Sequence, residues 1–304
     1  MKLATVRHHP EASSRLVAVV NGNLAVDIER VGAAAGHILP STMLEFIDLG
    51  PQVIPAVTEL VNDEGLRNQP GVSVPLSNLQ ILAPIPRPRK NMWGIGLNYS
   101  EHVAESARSL DTAKEMPEKP VIFAKPPGAV CASGDPIEHN PKLTQQLDWE
   151  VELAVVMGIR AKRVSADDAM SHVFGYTVMV DVSARDARRS GQWIVSKGQD
   201  TYAPMGPWIV TADEIEDPHN LDIWLTKNGE TMQSSNTKHM YFKVPALIED
   251  MSEGMTLDPG DIILTGTPEG VGAGRDPQEW MWPGDVITAH VDGIGSITNP
   301  IIGV

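Results

Sequence analysis

The stretch Asp148-Trp-Glu-Val-Glu-Leu-Ala-Val-Val-Met-Gly158 constrains this chain more than any other. It is rich in strand-forming residues, and a strand's period of two puts Glu150 and Glu152 on one face with Val151 and Leu153 on the other. Two carboxylates then stand close together beside an apolar core. Without a cation they repel. Sharing a partly buried site raises the pKa of one of them, whereas a divalent ion turns the repulsion into ligation. The spacing alone equally allows a solvated strand face carrying two acids.

The rest of the chain beyond residue 84 follows the same habit. Short runs rich in Val, Ile, Thr and Trp at 175–180, 208–211, 221–227, 261–265 and 285–291 are separated by turn signals such as Asn228-Gly229 and Pro259-Gly260-Asp261. Helical patterns intervene at 100–113, 166–172 and 244–252. Strands in a row with few helices predict a folded-over, mostly β structure with some α, rather than a βαβ array. Residues 1–83 read as a small α+β module: a strand near residues 2–6, a hairpin turning at Asn21, Gly22 and Asn23, and helices at 41–47 and 54–64. The stretch Ala83-Pro-Ile-Pro-Arg-Pro-Arg-Lys90 disfavours helix and ladder bonding alike and reads as a stiff connector. It divides the chain into 1–83 and 84–304.

Charge and cysteine usage narrow the function. Lys and Arg number 24 against 39 Asp and Glu, a net charge of −15, which argues against a nucleic-acid surface while leaving room for a small basic pocket that takes an anionic metabolite. The single cysteine, Cys131, has no partner for an intramolecular disulfide and fits a reducing compartment. The early apolar stretch is broken by Arg7, His8, His9 and Pro10, and no later run reaches the length of a membrane span, so the expectation is a cytoplasmic protein with no membrane partner.

Two further stretches carry chemistry. The apolar run Phe174-Gly-Tyr-Thr-Val-Met-Val-Asp181 ends on a carboxylate. Asp181 offers a third oxygen to Glu150 and Glu152, an all-carboxylate set suited to Mg²⁺, Mn²⁺ or Ca²⁺; a strand-end Asp is also a common turn former. In Trp93-Gly-Ile-Gly-Leu-Asn-Tyr-Ser-Glu-His-Val-Ala-Glu105, Ser100 caps a helix that sets His102 and Glu105 three residues apart, where the carboxylate orients the imidazole. Exposed His and Glu pairs at this spacing are also common on helix surfaces. His172, His219, His239 and His290 show no metal-ligand spacing, and Gly270-Val-Gly272 is too short for a phosphate loop.

Taken together the motifs resemble the fumarylacetoacetate hydrolase family. The resemblance runs in order through Gly96-Leu-Asn-Tyr-Ser-Glu-His-Val-Ala-Glu105, Phe123-Ala-Lys-Pro126, the 148–158 strand, Asp181-Val-Ser-Ala-Arg-Asp186, Lys197-Gly-Gln-Asp-Thr-Tyr-Ala-Pro-Met-Gly-Pro207 and Leu257-Asp-Pro-Gly-Asp-Ile-Ile-Leu-Thr-Gly-Thr-Pro-Glu-Gly-Val-Gly272, about 210 residues in all. It implies a mixed β-roll in the C-terminal part. Glu150, Glu152 and Asp181 would bind a divalent cation, Mg²⁺ first and Mn²⁺ or Ca²⁺ next. His102 and Glu105 would be the water-activating pair on a mobile segment near 99–118, with Lys197 as the active-site lysine, and Arg185 and Thr267 on the substrate side. It also implies a homodimer. Fumarylacetoacetate hydrolase itself has a further Asp ligand seven residues before its histidine, where this chain has Ile95, so the smaller members match better.

The reaction this implies first is hydrolysis of a C–C bond in an acylpyruvate or related β-diketo acid, with His102 and Glu105 activating water and a pyruvate enolate leaving. The alternative on the same site is an isomerase or decarboxylase of a hydroxymuconate-type 2-oxo acid in aromatic-compound catabolism, or a dehydratase or lyase on a sugar-derived oxo acid. A non-catalytic metal-binding scaffold is a third reading, disfavoured by the full residue set.

Overall fold

The computed structural model describes residues 1–100 and 116–304. The expected 100–113 helix, and with it His102 and Glu105, therefore falls almost entirely outside the described residues. Elsewhere the predicted elements appear close to their places. The central strand is Val151–Met157, and the neighbouring runs form Val173–Val180, Ala203–Thr211, Asp222–Lys227, Ile262–Leu264 and Val286–Val291. The expected helices outside 100–113 appear as Met43–Asp48, Ile54–Asn62, Ala166–Ala169 and Val244–Gly254, and Ile28–Ala34, Glu64–Arg67 and Ile194–Lys197 add short ones that the pattern did not mark. The fold is mixed α+β, dominated by strands.

Two sheets account for most of it. A 12-stranded sheet runs through Leu24–Asp27, Arg15–Val20, Lys2–Arg7, Ala203–Thr211, Val173–Val180, Val151–Met157, Ile262–Leu264, Met92–Gly96 and Val121–Lys125. A five-stranded sheet is ordered Glu230–Asn236, Asp222–Lys227, Val286–Val291, Gly295–Gly303 and Ile137–His139. Sheet pairing joins strands from both sides of the proline-rich stretch. Lys2 pairs with Val210 and Leu3 with Ile209, so residues 1–83 extend the large sheet instead of standing apart. The expected hairpin turn is present, with Asn21 and Gly22 at φ 51° and 73°, the left-handed conformations of a tight two-stranded connection.

Alternate residues of Val151–Met157 feed two cores. Val151, Leu153, Val155 and Met157 pack with Ile223, Leu225, Ile287 and Ala289 of the smaller sheet. Ala154 and Val156 face the other way, into a core with Phe46, Ile47, Ile28 and Phe174 from the N-terminal segment and its neighbours. The strand is buried on both faces along its whole length. Its acids therefore have no solvated face, which removes the bland reading of Glu152.

Candidate metal centre

Glu150 and Glu152 continue the Ala154 and Val156 face at the N-terminal end of this strand. Glu152 lies cross-strand from Met179, and the backbone N–H of Asp181 donates to the carbonyl of Glu150 at 2.8 Å. Asp181, two residues beyond Met179, thereby joins the two glutamates on one side of the sheet. One carboxylate oxygen from each of Glu150, Glu152 and Asp181 lies within 4.8 Å of the others, and all three residues are buried.

Cations hold two of the three. Lys197, at the end of the short helix Ile194–Lys197, places Nζ 2.8 Å from Glu150 Oε2 and 2.6 Å from Asp181 Oδ2. Lys125, fully buried, donates to Asp181 Oδ1 at 2.5 Å and to the Val182 carbonyl at 3.2 Å. Arg185 reaches Glu150 Oε1 at 2.6 Å through Nη2 and Asp148 Oδ2 at 2.8 Å through Nε. Burial alone would pull the Lys197 and Arg185 pKa values down, but the adjacent carboxylates outweigh it and leave both raised. Lys125 is the reverse case, since burial wins over Asp181 and lowers it.

Glu152 is different. At 1% exposure it accepts the Gly266 N–H at 2.6 Å and has no cation partner among the described residues. Burial, then Asp181 and Glu150, push its pKa well above the carboxylate range. Gly266 makes this contact from φ 98°, and a Cβ there would lie 2.7 Å from Asn98 Cβ. Four central carboxylates, Asp148, Glu150, Glu152 and Asp181, thus face three cations, Lys125, Arg185 and Lys197. An oxygen-only donor set with one buried acid lacking a cation partner among the described residues fits a hard divalent cation better than a soft metal.

Asp148 underpins the arrangement. It is fully buried, and Trp149 N and Gly272 N donate to Oδ1 at 2.8 and 2.6 Å while Ala273 N and Arg185 Nε donate to Oδ2 at 3.0 and 2.8 Å. Burial pushes its pKa up against these donors. Four N–H groups converge on it, however, and that environment suits the ionised form.

The sequence expects Arg185 and Thr267 on the substrate side, but in the structure protein groups engage both. Arg185 spends its guanidinium on Asp148 and Glu150. Thr267 Oγ1 donates to the Val151 carbonyl at 2.9 Å and accepts from Gln233 Nε2 at 2.8 Å. Lys197 sits where the motif puts it, with Nζ 5.0 Å over the Phe123 ring. Ile95, at the place of the additional Asp of fumarylacetoacetate hydrolase, is a core residue at 1% exposure. Lys125 and Asp148 stand inside motifs without a role marked by local pattern, and Gln233 lies outside the motifs. The signal for Asp148 was its place two residues before Glu150, and Lys125 had only its invisible partner Asp181.

Comparison with known proteins shows the family. Residues 91–302 match the family described as fumarylacetoacetate (FAA) hydrolase C-terminal. The chain is 42% identical over 267 residues to oxaloacetate tautomerase fahd2, mitochondrial, of Xenopus laevis, covering 87% of this chain and 79% of that one. It is 44% identical over 227 residues to oxaloacetate tautomerase YisK of Bacillus subtilis, 74% of each chain. A fumarylacetoacetate hydrolase from Exiguobacterium antarcticum superposes with TM-score 0.82 at 33% identity, covering all of both chains. Maleylpyruvate hydrolase from Sphingobium sp. SYK-6, solved with manganese(II) and pyruvate, superposes with TM-score 0.77 at 28% identity over 100% of this chain and 99% of that one. The chain belongs to the fumarylacetoacetate hydrolase family and is an enzyme of that family. The relatives named as tautomerases shift the weight from the C–C hydrolase expected first to the isomerase alternative. No helix among the described residues is long and apolar enough to cross a membrane.

Proposed function

We propose that this enzyme interconverts the keto and enol forms of a small 2-oxo acid such as oxaloacetate, using a divalent cation, Mg²⁺ or Mn²⁺, held by Glu150, Glu152 and Asp181. The observation that carries the reading is the convergence of three buried carboxylates, one of them without a counter-charge among the described residues, in a chain over 40% identical to proteins named as oxaloacetate tautomerases. When bound, the cation supplies a Lewis acid for the negative charge that develops on the 2-oxo oxygen. Arg185 and Lys197 fix the Glu150 carboxylate from both of its oxygens, and Lys125 and Lys197 do the same for Asp181. The ligands are thereby held in place before substrate arrives.

Ketonisation takes the proton from the enol oxygen and places one on the adjacent carbon. No bond between carbons breaks and no water is consumed. His102, with Glu105 three residues on, is the proposed proton carrier, the role general acid–base chemistry gives an imidazole paired with a carboxylate. The hydrolytic reading uses the same residues to activate water and is supported by the manganese- and pyruvate-bound maleylpyruvate hydrolase at 28% identity. The two part on products. The proposal expects enol-oxaloacetate to ketonise faster with enzyme and Mg²⁺ than with Mg²⁺ alone, with no change of mass. If oxaloacetate ketonises at the uncatalysed rate while an acylpyruvate releases pyruvate, the hydrolase reading replaces it.

A further inference from the structure

Arg188 stands apart from the other basic residues of the site. It stands in extended backbone immediately after the short 3-10 turn Arg185–Ala187, three residues from Arg185, whose guanidinium pairs with Glu150. Its own guanidinium lies 4.5 Å from the centre of the Trp193 ring. Trp193 in turn packs at 5.2 Å against Phe123, the ring beneath the Lys197 ammonium. A short chain of contacts, Arg188 to Trp193 to Phe123 to Lys197, thus connects Arg188 to the carboxylate cluster. Lys125, Arg185 and Lys197 each have a carboxylate partner; Arg188 has none among the described residues. Burial, and then Arg185, both oppose its charge, and Glu150 offsets them only in part. A half-buried guanidinium 4.5 Å from the centre of an indole ring, with no carboxylate partner among the described residues, is suited to receive a carboxylate through its planar fork.

We infer that Arg188 binds the second carboxylate of a dicarboxylic 2-oxo acid and so selects dicarboxylates over monocarboxylates at this site. The inference rests on the 2-oxo acid reading above and specifies its substrate class.

The test uses equilibrium binding, which does not depend on turnover. Malate and lactate share a 2-hydroxy carboxylate head and differ in the distal carboxylate. Calorimetry on the Mn²⁺-loaded full chain compares their affinities for the wild type, Arg188→Gln and Arg188→Lys. The wild type should prefer malate by about tenfold or more, the scale of one charge-assisted contact in a half-buried site. Arg188→Gln should bring the two within about twofold, and Arg188→Lys, which keeps the charge but not the fork, should fall between. An undiminished malate preference in Arg188→Gln, or no preference in the wild type, overturns the assignment. If the preference behaves as expected but enol-oxaloacetate is not ketonised, the proposed reaction fails and the role of Arg188 stands.

Discussion

Replacing Asp148 tests whether the carboxylate cluster is held from behind. In Asp148→Ala three buried backbone N–H groups, of Trp149, Gly272 and Ala273, lose their acceptor, and Arg185 Nε loses its partner. An orphaned buried donor costs about 1–3 kcal/mol. Water entering the space vacated by the carboxylate returns part of this, so about 1 kcal/mol for each N–H is the working figure. Arg185 keeps Glu150 at 2.6 Å and is not left wholly unpaired, which adds about 1–2 kcal/mol. The total of about 4–5 kcal/mol is a large fraction of a typical folding free energy of about 5–15 kcal/mol.

Asp186 supplies the control. It also accepts two hydrogen bonds, from Thr144 Oγ1 at 2.5 Å and Gln145 N at 2.9 Å, but it is exposed, and water replaces whatever Asp186→Ala removes. That variant should cost about 0.5–1.5 kcal/mol. Thermal melting followed by circular dichroism should show Asp148→Ala falling on the order of 10 °C and Asp186→Ala only a few degrees. Asp148→Asn, nearly isosteric, should land between them, because its amide nitrogen faces donors. Equal, small shifts for Asp148→Ala and Asp186→Ala would refute the claim that buried, convergent donors make Asp148 the anchor.

Glu150→Gln should weaken Mn²⁺ binding and shrink the rise in melting temperature that Mn²⁺ gives the wild type; an unchanged rise would remove Glu150 from the ligand set. Gly266→Ala forces a Cβ to 2.7 Å from Asn98 Cβ at φ 98°, so it should melt earlier and lose metal-induced stabilisation as the N–H held on Glu152 shifts, checked by the same melts. His219, whose Nε2 accepts the Val244 N–H at 3.1 Å, has its pKa lowered by burial and by Lys243, so its contribution is present above the ordinary histidine pKa and is lost as pH falls through the lowered value. Denaturant melts at pH 7.5 and 5 should show a larger acid loss in the wild type than in His219→Phe, and parallel losses would discount it. A homodimer is also expected, and light scattering at micromolar concentration that returns the 32.9 kDa monomer would count against it.

Local pattern carried much of this protein. The alternation in Val151–Met157, the Asn21-Gly22 turn and the three carboxylates are all legible because each depends on residues near one another in sequence or on a strand's fixed period. Less legible were the strands Met92–Gly96 and Val121–Lys125. The first contains two glycines, and Gly94 and Phe123 are cross-strand partners, with the Phe123 ring filling the space where a Cβ at Gly94 would sit. That fit is invisible until the strands are paired. The same holds for Lys125, bonded to Asp181 56 residues away, and for Asp148, bonded to Gly272 124 residues away. Arg185 is marked by its motif, but nothing local reveals that Asp148 and Glu150 both pair with its guanidinium.

Fold and site are set by one register. Ala154 and Val156 must face the Phe46 core, and Leu153 and Val155 the core shared with the smaller sheet. A slip of one residue would exchange these sets and turn Glu152 into the apolar interior with no Gly266 donor to meet it. The same pairing sets Val151 opposite Val180 and Glu152 opposite Met179, which brings Asp181 to the two glutamates. The apolar pattern that selects this register therefore also gathers the acids, although the acids themselves repel and favour separation. Stability drawn from two cores holds together a cluster that is unfavourable without its cations. That is the condition for a ligand set formed in advance of the metal and the substrate it serves.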